Sequence, residues 1–395
     1  MKHVKDEGIQ NADQFMNPSK LTKEQCDAAI AHVLKQIDRN LETFTDKFPD
    51  IVSNNLVYSA ADNYEWTPGF WTGMLWLAYE VSGDEKYRLA AEVQLNSFKK
   101  RADEQIGTET HDLGFLYSLS CVAAHKLTGN EEAKQTALRA AELLMTRYLD
   151  QAGIIQAWGS LSNPKQRGRM IIDCLLNLPL LYWAAEITQD QSYFAAAATH
   201  VKQAAAYLIR EDASSFHTYY MDVDSGAPLY GKTAQGFSDE SCWSRGQAWA
   251  IYGFALNFIY TKDHELIDLT KKVTNYFINR LPDDYVCYWD LIFTTGSEVR
   301  DSSAAAIAVC GMMELNKQLS ASDPHKAIYE NAVSSILMSL MDNYSTASTP
   351  QSNGLLLHGV YSKPGNTGVD ECCLWGDYFY FEALVRATRD WQLYW

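Results

Sequence analysis

The sequence has eight cysteines but no Cys-x-x-Cys pair and no Cys/His spacing suited to a metal. Several cysteines fall inside apolar helical runs, such as Cys310 after Ala304-Ala305-Ala306-Ile307-Ala308-Val309. They are expected to be reduced, buried thiols of a cytoplasmic protein. No run of about 18 apolar residues exists, so no membrane span is expected. The start, Met1-Lys2-His3-Val4-Lys5-Asp6-Glu7, lacks the apolar core of a signal peptide. Basic residues are scarce: 33 against 49 acidic, a formal net charge of −16, which argues against nucleic acid or an anionic membrane as partner. An anionic small molecule would need a local pocket. There is no glycine-rich phosphate loop, no Gly-x-Ser-x-Gly elbow and no His-Glu-x-x-His, so neither a metal nor a nucleotide cofactor is expected. Strand signals are confined to Ser215–Tyr220 and Gly354–Tyr361. No linker of disordered composition interrupts the chain, and 395 residues with 47% hydrophobic content suffice for one large core. A single catalytic domain over 1–395 is expected, with 1–20 a loose lead-in.

What is present is a repeat. Helix one is predicted to open at Thr22, where Thr22 and Gln25 have capping-box spacing, and to carry apolar residues at 26, 29, 30, 33, 34 and 37. Units then begin near 66, 111, 170, 243 and 301. Each opens with polar, aromatic and glycine residues, runs into a helix, turns, and enters a second amphipathic helix. The turns, such as Val81-Ser82-Gly83-Asp84 and Tyr260-Thr261-Lys262-Asp263, end in N-cap residues; Asn130, Asp190 and Asp323 hold the corresponding positions. Helix one is expected to pair with a last helix after Trp375, from Tyr378 to Trp391, as a sixth hairpin. The predicted fold is all-α, an (α/α)6 barrel; an open solenoid is the rival.

In such a ring the inter-unit loops gather on one face, where sites are built. Asp173 opens the third unit inside Met170-Ile171-Ile172-Asp173-Cys174-Leu175-Leu176. A carboxylate there loses hydration, which raises its pKa toward that of a general acid; the alternative is an acid stabilised by a helix N-terminus. His111-Asp112 opens the second unit, and Asp112 is equally an N-cap candidate. Trp66, in Glu65-Trp66-Thr67-Pro68-Gly69-Phe70-Trp71-Thr72-Gly73, is a candidate platform for a sugar ring, whereas Trp71 and Trp76 are expected in the core. In Trp243-Ser244-Arg245-Gly246-Gln247-Ala248-Trp249, Arg245 and Trp249 stand at i and i+4 on one helical face, a cradle for a carboxylate-bearing sugar; the alternative is an Arg stacked on Trp at the surface. His217 and Gln235-Gly236 precede that unit, Arg300-Asp301-Ser302-Ser303 reads as an N-cap, and His358-Gly359-Val360-Tyr361-Ser362 with Trp375-Gly376-Asp377 completes the ring.

These motifs, with Phe216-His217-Thr218 and Gln235-Gly236-Phe237-Ser238-Asp239, resemble the unsaturated glucuronyl hydrolases, glycoside hydrolase family 88, in its streptococcal-type members. The resemblance runs from about residue 20 to Trp395. It implies an (α/α)6 barrel acting on lyase-generated glycosaminoglycan disaccharides of chondroitin or hyaluronan type, which carry a 4,5-unsaturated uronate. The implied reaction hydrates the C4=C5 vinyl ether. Asp173 matches the general acid/base, which protonates C4 and then takes a proton from the water adding at C5. Asp112 matches the second essential acid, placed so that one ionised carboxylate holds the proton on the other. Trp66, His111, His217, Gln235, Arg245, Trp249 and Ser362 match substrate contacts. His217 falls by the uronate ring, and Arg245 with Trp249 falls by its carboxylate or glycosidic side.

One departure bears on specificity. Members that favour sulfated disaccharides carry Arg before the Gln-Gly pair and a later Ser-x-x-Ser-x-Lys stretch. Here the first is Ala234, and the second reads Ser362-Lys363-Pro364-Gly365-Asn366-Thr367. Each lost charge-assisted hydrogen bond is worth roughly 1.5–3 kcal/mol, so a weaker preference for sulfate is expected, with Lys363 a possible substitute. The alternatives are an unsaturated rhamnogalacturonyl hydrolase (family 105) acting on pectin fragments and a non-catalytic glycan-binding barrel. Monomer and homodimer both stay open.

Overall fold

The computed structural model describes residues 3–16 and 20–395. In chain order the helices are α1 (Lys23–Phe44), α2 (Pro68–Ser82), α3 (Glu85–Asp103), α4 (Leu113–Tyr117), α5 (Ala123–Thr128), α6 (Glu131–Met145), α7 (Pro179–Thr188), α8 (Gln191–Gln203), α9 (Ser244–Thr261), α10 (His264–Ile278), α11 (Ser302–Gln318), α12 (Lys326–Ser339) and α13 (Leu374–Thr388). A π-helical turn over Ser118–Val122 joins α4 to α5 as one rod. The inner ring is α2, α4–α5, α7, α9, α11 and α13, and the outer ring is α1, α3, α6, α8, α10 and α12. Composition separates the rings. Helix α9 is buried at every position from Ser244 to Phe258 and α13 from Leu374 to Val385, so protein surrounds both on all sides. Helix α1 buries one stripe, the apolar Cys26, Ile30, Val33, Ile37 and Phe44 with Gln36 and Asn40 beside them. The ring closes because α13 packs on α11, α2 and α1, which excludes the open solenoid.

The turn chemistry explains the hairpins. Asp84, Asn130, Asp190 and Asp263 cap α3, α6, α8 and α10 with their side chains, and Thr22 forms the complete capping box of α1. Asp323 does not cap α12. Pro324 restrains it to extended backbone, its carboxylate accepts from His325 N at 2.9 Å, and the helix starts only at Lys326. All eight cysteines are unpaired and buried. No described helix is long and apolar enough to cross a membrane.

The strands lie in the loops. Two-residue ladders pair β1 (Phe48–Pro49) with β2 (Ala60–Ala61) and β3 (Tyr148–Leu149) with β4 (Ile154–Ile155). A three-stranded antiparallel sheet joins β5 (Arg169–Ile171), β6 (Thr218–Met221) and β7 (Pro228–Lys232). A hairpin joins β8 (Gly359–Ser362) to β9 (Thr367–Glu371).

Both chain ends differ from expectation. Residues 3–16 are docked, not loose: Val4 and Phe15 are buried, and Glu7 pairs with Arg280 at 2.7 Å. The last helix stops at Thr388. Beyond it Trp395 enters the barrel, stacked on Phe379 at 5.9 Å and edge-on to Phe115 at 6.0 Å, with its indole N–H donating to Glu382 Oε2 at 3.0 Å.

Candidate active site

The third unit does not begin as a continuous helix. Strand β5 ends at Ile171, a 3-10 turn covers Ile172–Leu176, and α7 starts at Pro179. Asp173 lies in the first turn of that 3-10 segment. Asn177 then ties it to the second unit. Its Oδ1 accepts from Phe115 N at 2.7 Å and its Nδ2 donates to the Asp173 carbonyl at 3.2 Å. Gly114 permits this approach, since a Cβ there would lie 2.2 Å from Asn177 Cα. The motif His111-Asp112-Leu113-Gly114 is thus pressed against the segment that carries Asp173.

Asp112 occupies the N-cap position of α4 but makes no side-chain cap. Its Oδ2 accepts from Thr110 Oγ1 at 2.6 Å, and its Oδ1 lies 3.3 Å from His111 Nε2. The same Nε2 lies 3.2 Å from Asp173 Oδ1, within ion-pair reach though off the hydrogen-bond direction. The acids therefore do not face each other alone, because an imidazole stands between them. Burial opposes charge on His111, but the carboxylates of Asp112 and Asp173 outweigh it and hold its pKa well above the usual value. Burial would raise Asp112, and it is outweighed by the charge and hydrogen bond of His111, the Thr110 hydroxyl and the charge of Arg101, so Asp112 is lowered. One donor atom from each of the three residues lies within 4.8 Å of the other two, a spacing that could hold a cation. The raised pKa of His111 favours the imidazolium there, a form with no lone pair left on Nε2 for a metal.

An open cleft of about 570 Å³, its solvent-filled mouth included, lies above this trio. Trp66, His111, Asp112, Asp173, His217, Gln235, Arg245 and Trp249 all line it. Ser362 does not. It ends β8, where its hydroxyl accepts from Gly365 N at 3.2 Å, and Tyr361 reaches the wall instead. Trp71 and Trp76 are fully buried in the core. Trp66 is half-buried and stacks on Trp375 at 5.0 Å.

His217 Nδ1 accepts from the backbone N–H groups of Ala234 and Gln235 at 2.9 and 3.2 Å, which leaves the proton on Nε2. Burial, followed by the charges of Arg245, Arg169 and His111, pushes this imidazole down to about 3, so it is a neutral donor.

Arg245 departs from expectation. Its side chain is buried, and its guanidinium lies over Trp243 and Trp375 at 4.4 and 4.8 Å, not against Trp249. Its four terminal N–H groups are committed to Asp301 Oδ2 (2.9 Å), the Val360 carbonyl, Gln235 Oε1 (2.7 Å) and the Tyr361 carbonyl (2.7 Å). No terminal fork remains for a substrate carboxylate. The side chain instead braces the cavity wall and orients the Gln235 amide so that its NH2 is free to donate. Trp249 is held between Phe115 and Phe379 at 5.4 and 5.5 Å.

Sequence reasoning missed Trp158, Ile171, Trp243 and Tyr361 in the wall, and it read Asp301 only as a cap. Asp301 does cap α11 through Ser303 and Ala304 N–H, while its other oxygen holds Arg245. Trp158 lies between units, where the repeat carries no motif.

Residues 36–384 match the model of Glycosyl Hydrolase Family 88. The chain belongs to that family. Other members are similar along its whole length. It is 48% identical to an unsaturated chondroitin disaccharide hydrolase of Streptococcus pneumoniae over 396 aligned positions, covering 100% of both chains. It is 44% identical to an unsaturated glucuronyl hydrolase of Bacillus sp. GL1, covering 93% of this chain and 98% of that one. Among solved structures, the unsaturated glucuronyl hydrolase of Streptococcus agalactiae superposes with a TM-score of 0.98 at 47% identity, covering 100% of both chains. A variant of the S. agalactiae enzyme, complexed with dGlcA-GalNAc6S, superposes at 0.90 with 45% identity and 100% coverage of both. This family 88 chain is thus a glycoside hydrolase with the (α/α)6 barrel of its relatives.

Proposed function

We propose that this hydrolase removes the 4,5-unsaturated uronate from chondroitin- and hyaluronan-type disaccharides by hydrating the C4=C5 vinyl ether. The observation that carries the reading is the imidazole held between two carboxylates under an aromatic cavity. A retaining or inverting glycosidase needs two independent carboxyl groups flanking the anomeric carbon. Here both lie within 3.3 Å of one imidazole, so they act as a coupled pair and not as two groups on opposite sides of an anomeric carbon.

Asp112 and His111 form an ion pair of zero net charge, and Asp173 is the member left to exchange a proton with the substrate. In its acid form Asp173 gives that proton to C4, and positive charge develops at C5 and the ring oxygen. The carboxylates stabilise this charge. The Asp173 carboxylate then takes a proton from the water that adds at C5. The resulting hemiketal opens and releases the second sugar. His217 Nε2–H and the Gln235 NH2 are neutral donors for the uronate oxygens. Trp158, 44% exposed, stands at the mouth, where the second ring lies once C4 has reached the buried acids. Ser362 and Lys363, on the β8–β9 hairpin, are second-sugar contacts from outside the wall. The chain acts as one catalytic unit, a reading supported by a hydrophobic core continuous from Val4 to Trp395.

The test is ultraviolet absorbance. The conjugated C4=C5 bond absorbs, and hydration removes the signal. Unsaturated chondroitin disaccharide should lose absorbance on addition of enzyme. Unchanged absorbance there, with loss on pectin-derived unsaturated disaccharides, would move the substrate class to rhamnogalacturonan.

A further inference from the structure

Trp158 is the most exposed aromatic residue of the cavity wall described above, yet the backbone around it is unusually well tied. The buried Arg147 donates to the carbonyls of Gln156 (2.9 Å), Ala157 (2.6 Å) and Gly159 (2.9 Å). Ala157 N donates to the Arg169 carbonyl at 2.9 Å, and Gly168 N donates to Gln156 Oε1 at 3.0 Å. The main chain on both sides of Trp158 is therefore fixed, and only the indole remains to be oriented.

Arg169 lies against that indole. Its guanidinium carbon is 3.6 Å from the Trp158 ring centroid and 5.3 Å from that of Tyr220. Its Nε donates to Tyr220 Oη at 2.9 Å, and Tyr220 in turn stacks on Tyr230 at 4.9 Å. Arg169 and Ile171 stand two apart on β5, so their side chains share a face, and Ile171 lines the cavity. Arg169 is 8% exposed, and its Nη1 has no oxygen or nitrogen acceptor. The indole face is the partner that offsets this otherwise uncompensated donor.

We propose that Arg169 is a positioning residue for the second sugar: its guanidinium is the pedestal that presets Trp158 as the platform for the ring beyond the unsaturated uronate. The inference rests on the vinyl-ether hydrolase reading. It says that recognition beyond the scissile bond depends on a cation that never touches substrate. With the pedestal gone, the indole samples other rotamers and must be ordered at the moment of binding. Arg169 contacts none of His111, Asp112 or Asp173, so the chemical step is spared.

The experiment compares wild type, Arg169→Met, Arg169→Lys, Trp158→Ala and Arg169→Met/Trp158→Ala. The substrates are unsaturated chondroitin disaccharide and the methyl glycoside of the unsaturated uronate, which has no second ring. Arg169→Met should raise KM for the disaccharide roughly three- to tenfold with kcat unchanged, the cost of ordering one side chain. It should leave the methyl glycoside untouched and add nothing in the Trp158→Ala background. Arg169→Lys should recover part of the loss. An equal change on both substrates, a fall in kcat, or full additivity with Trp158→Ala would overturn the proposal. A readout without substrate separates it from the function itself. In indole N–H NMR spectra, the peak missing from Trp158→Ala should be the one that moves in Arg169→Met. If that peak stays, the pedestal is refuted even should the enzyme act on another sugar.

Discussion

Arg245, on α9, and Asp301, at the N-cap of α11, form a buried ion pair at 2.9 Å in the cavity wall, with side chains 2% and 0% exposed. Asp301 also caps α11, so one carboxylate starts a helix and neutralises the cation that shapes the site. Replacing Arg245 by Met strands a buried charge. The expected cost is roughly 3–5 kcal/mol, read by urea denaturation. A loss under about 1 kcal/mol would mean that the pair braces nothing.

Asp173→Asn keeps the size of the side chain and removes its proton. Turnover should fall by roughly 10²–10⁴-fold while disaccharide still binds, measured by absorbance and calorimetry side by side. Near-wild-type turnover would assign the acid role to another group.

His111 carries a pH prediction. Its folded pKa is raised well above 6.5. Its charge, and the stability tied to that charge, is fully present below the unfolded value and is lost as pH rises through the folded one. The kcat profile should therefore have an alkaline limb above pH 6.5. In Asp112→Asn, which removes the principal attraction, the limb should move to lower pH. A limb that does not move would assign it to another group.

His200 acts in the opposite sense. Burial pushes it down to about 3, and its Nδ1 accepts from Ile155 N at 2.8 Å. The unfolded chain takes up this proton below about pH 6.5 while the folded chain resists it, so stability falls as pH drops from there toward 3. His200→Asn retains an acceptor without the titration. It should remove about 2–3 kcal/mol of the stability lost between pH 7 and 4.5, as followed by denaturation at both pH values.

Ala234 lines the cavity without charge. Wild type should cleave unsulfated disaccharide at a rate similar to or better than the 6-sulfated one. Ala234→Arg should shift the kcat/KM ratio toward sulfate by roughly tenfold or more, the worth of one charge-assisted hydrogen bond. A wild-type enzyme that strongly favours the sulfated substrate would place its sulfate contact elsewhere, with Lys363 the first residue to test.

The hairpin repeat was legible because each feature that specifies it is local. A capping residue such as Asp84 acts on an amide two residues away, and the apolar stripe of α1 recurs every turn. Asp173 stood out because a carboxylate amid Ile172 and Cys174 conflicts with its apolar neighbours, and Asp112 because it stands beside the imidazole of His111. Local patterns also misled. Asp323 has a cap-like place, yet Pro324 delays the helix, and the i, i+4 spacing of Arg245 and Trp249 suggested a contact that Trp243 and Trp375 make instead.

By itself the sequence determined which residues are chemically capable: helices, caps, acids, imidazoles and indoles, since these follow from residue type and short-range spacing. Only the tertiary structure decided how they are paired. The imidazole between Asp112 and Asp173, the commitment of Arg245 to Asp301 and the seat of Trp158 on Arg169 join segments that are distant in the chain or, like His111 and Asp112, depend on how a loop is turned. Charge and hydrogen-bond roles are set by what lies within about 4 Å, and no one-dimensional pattern encodes that neighbourhood.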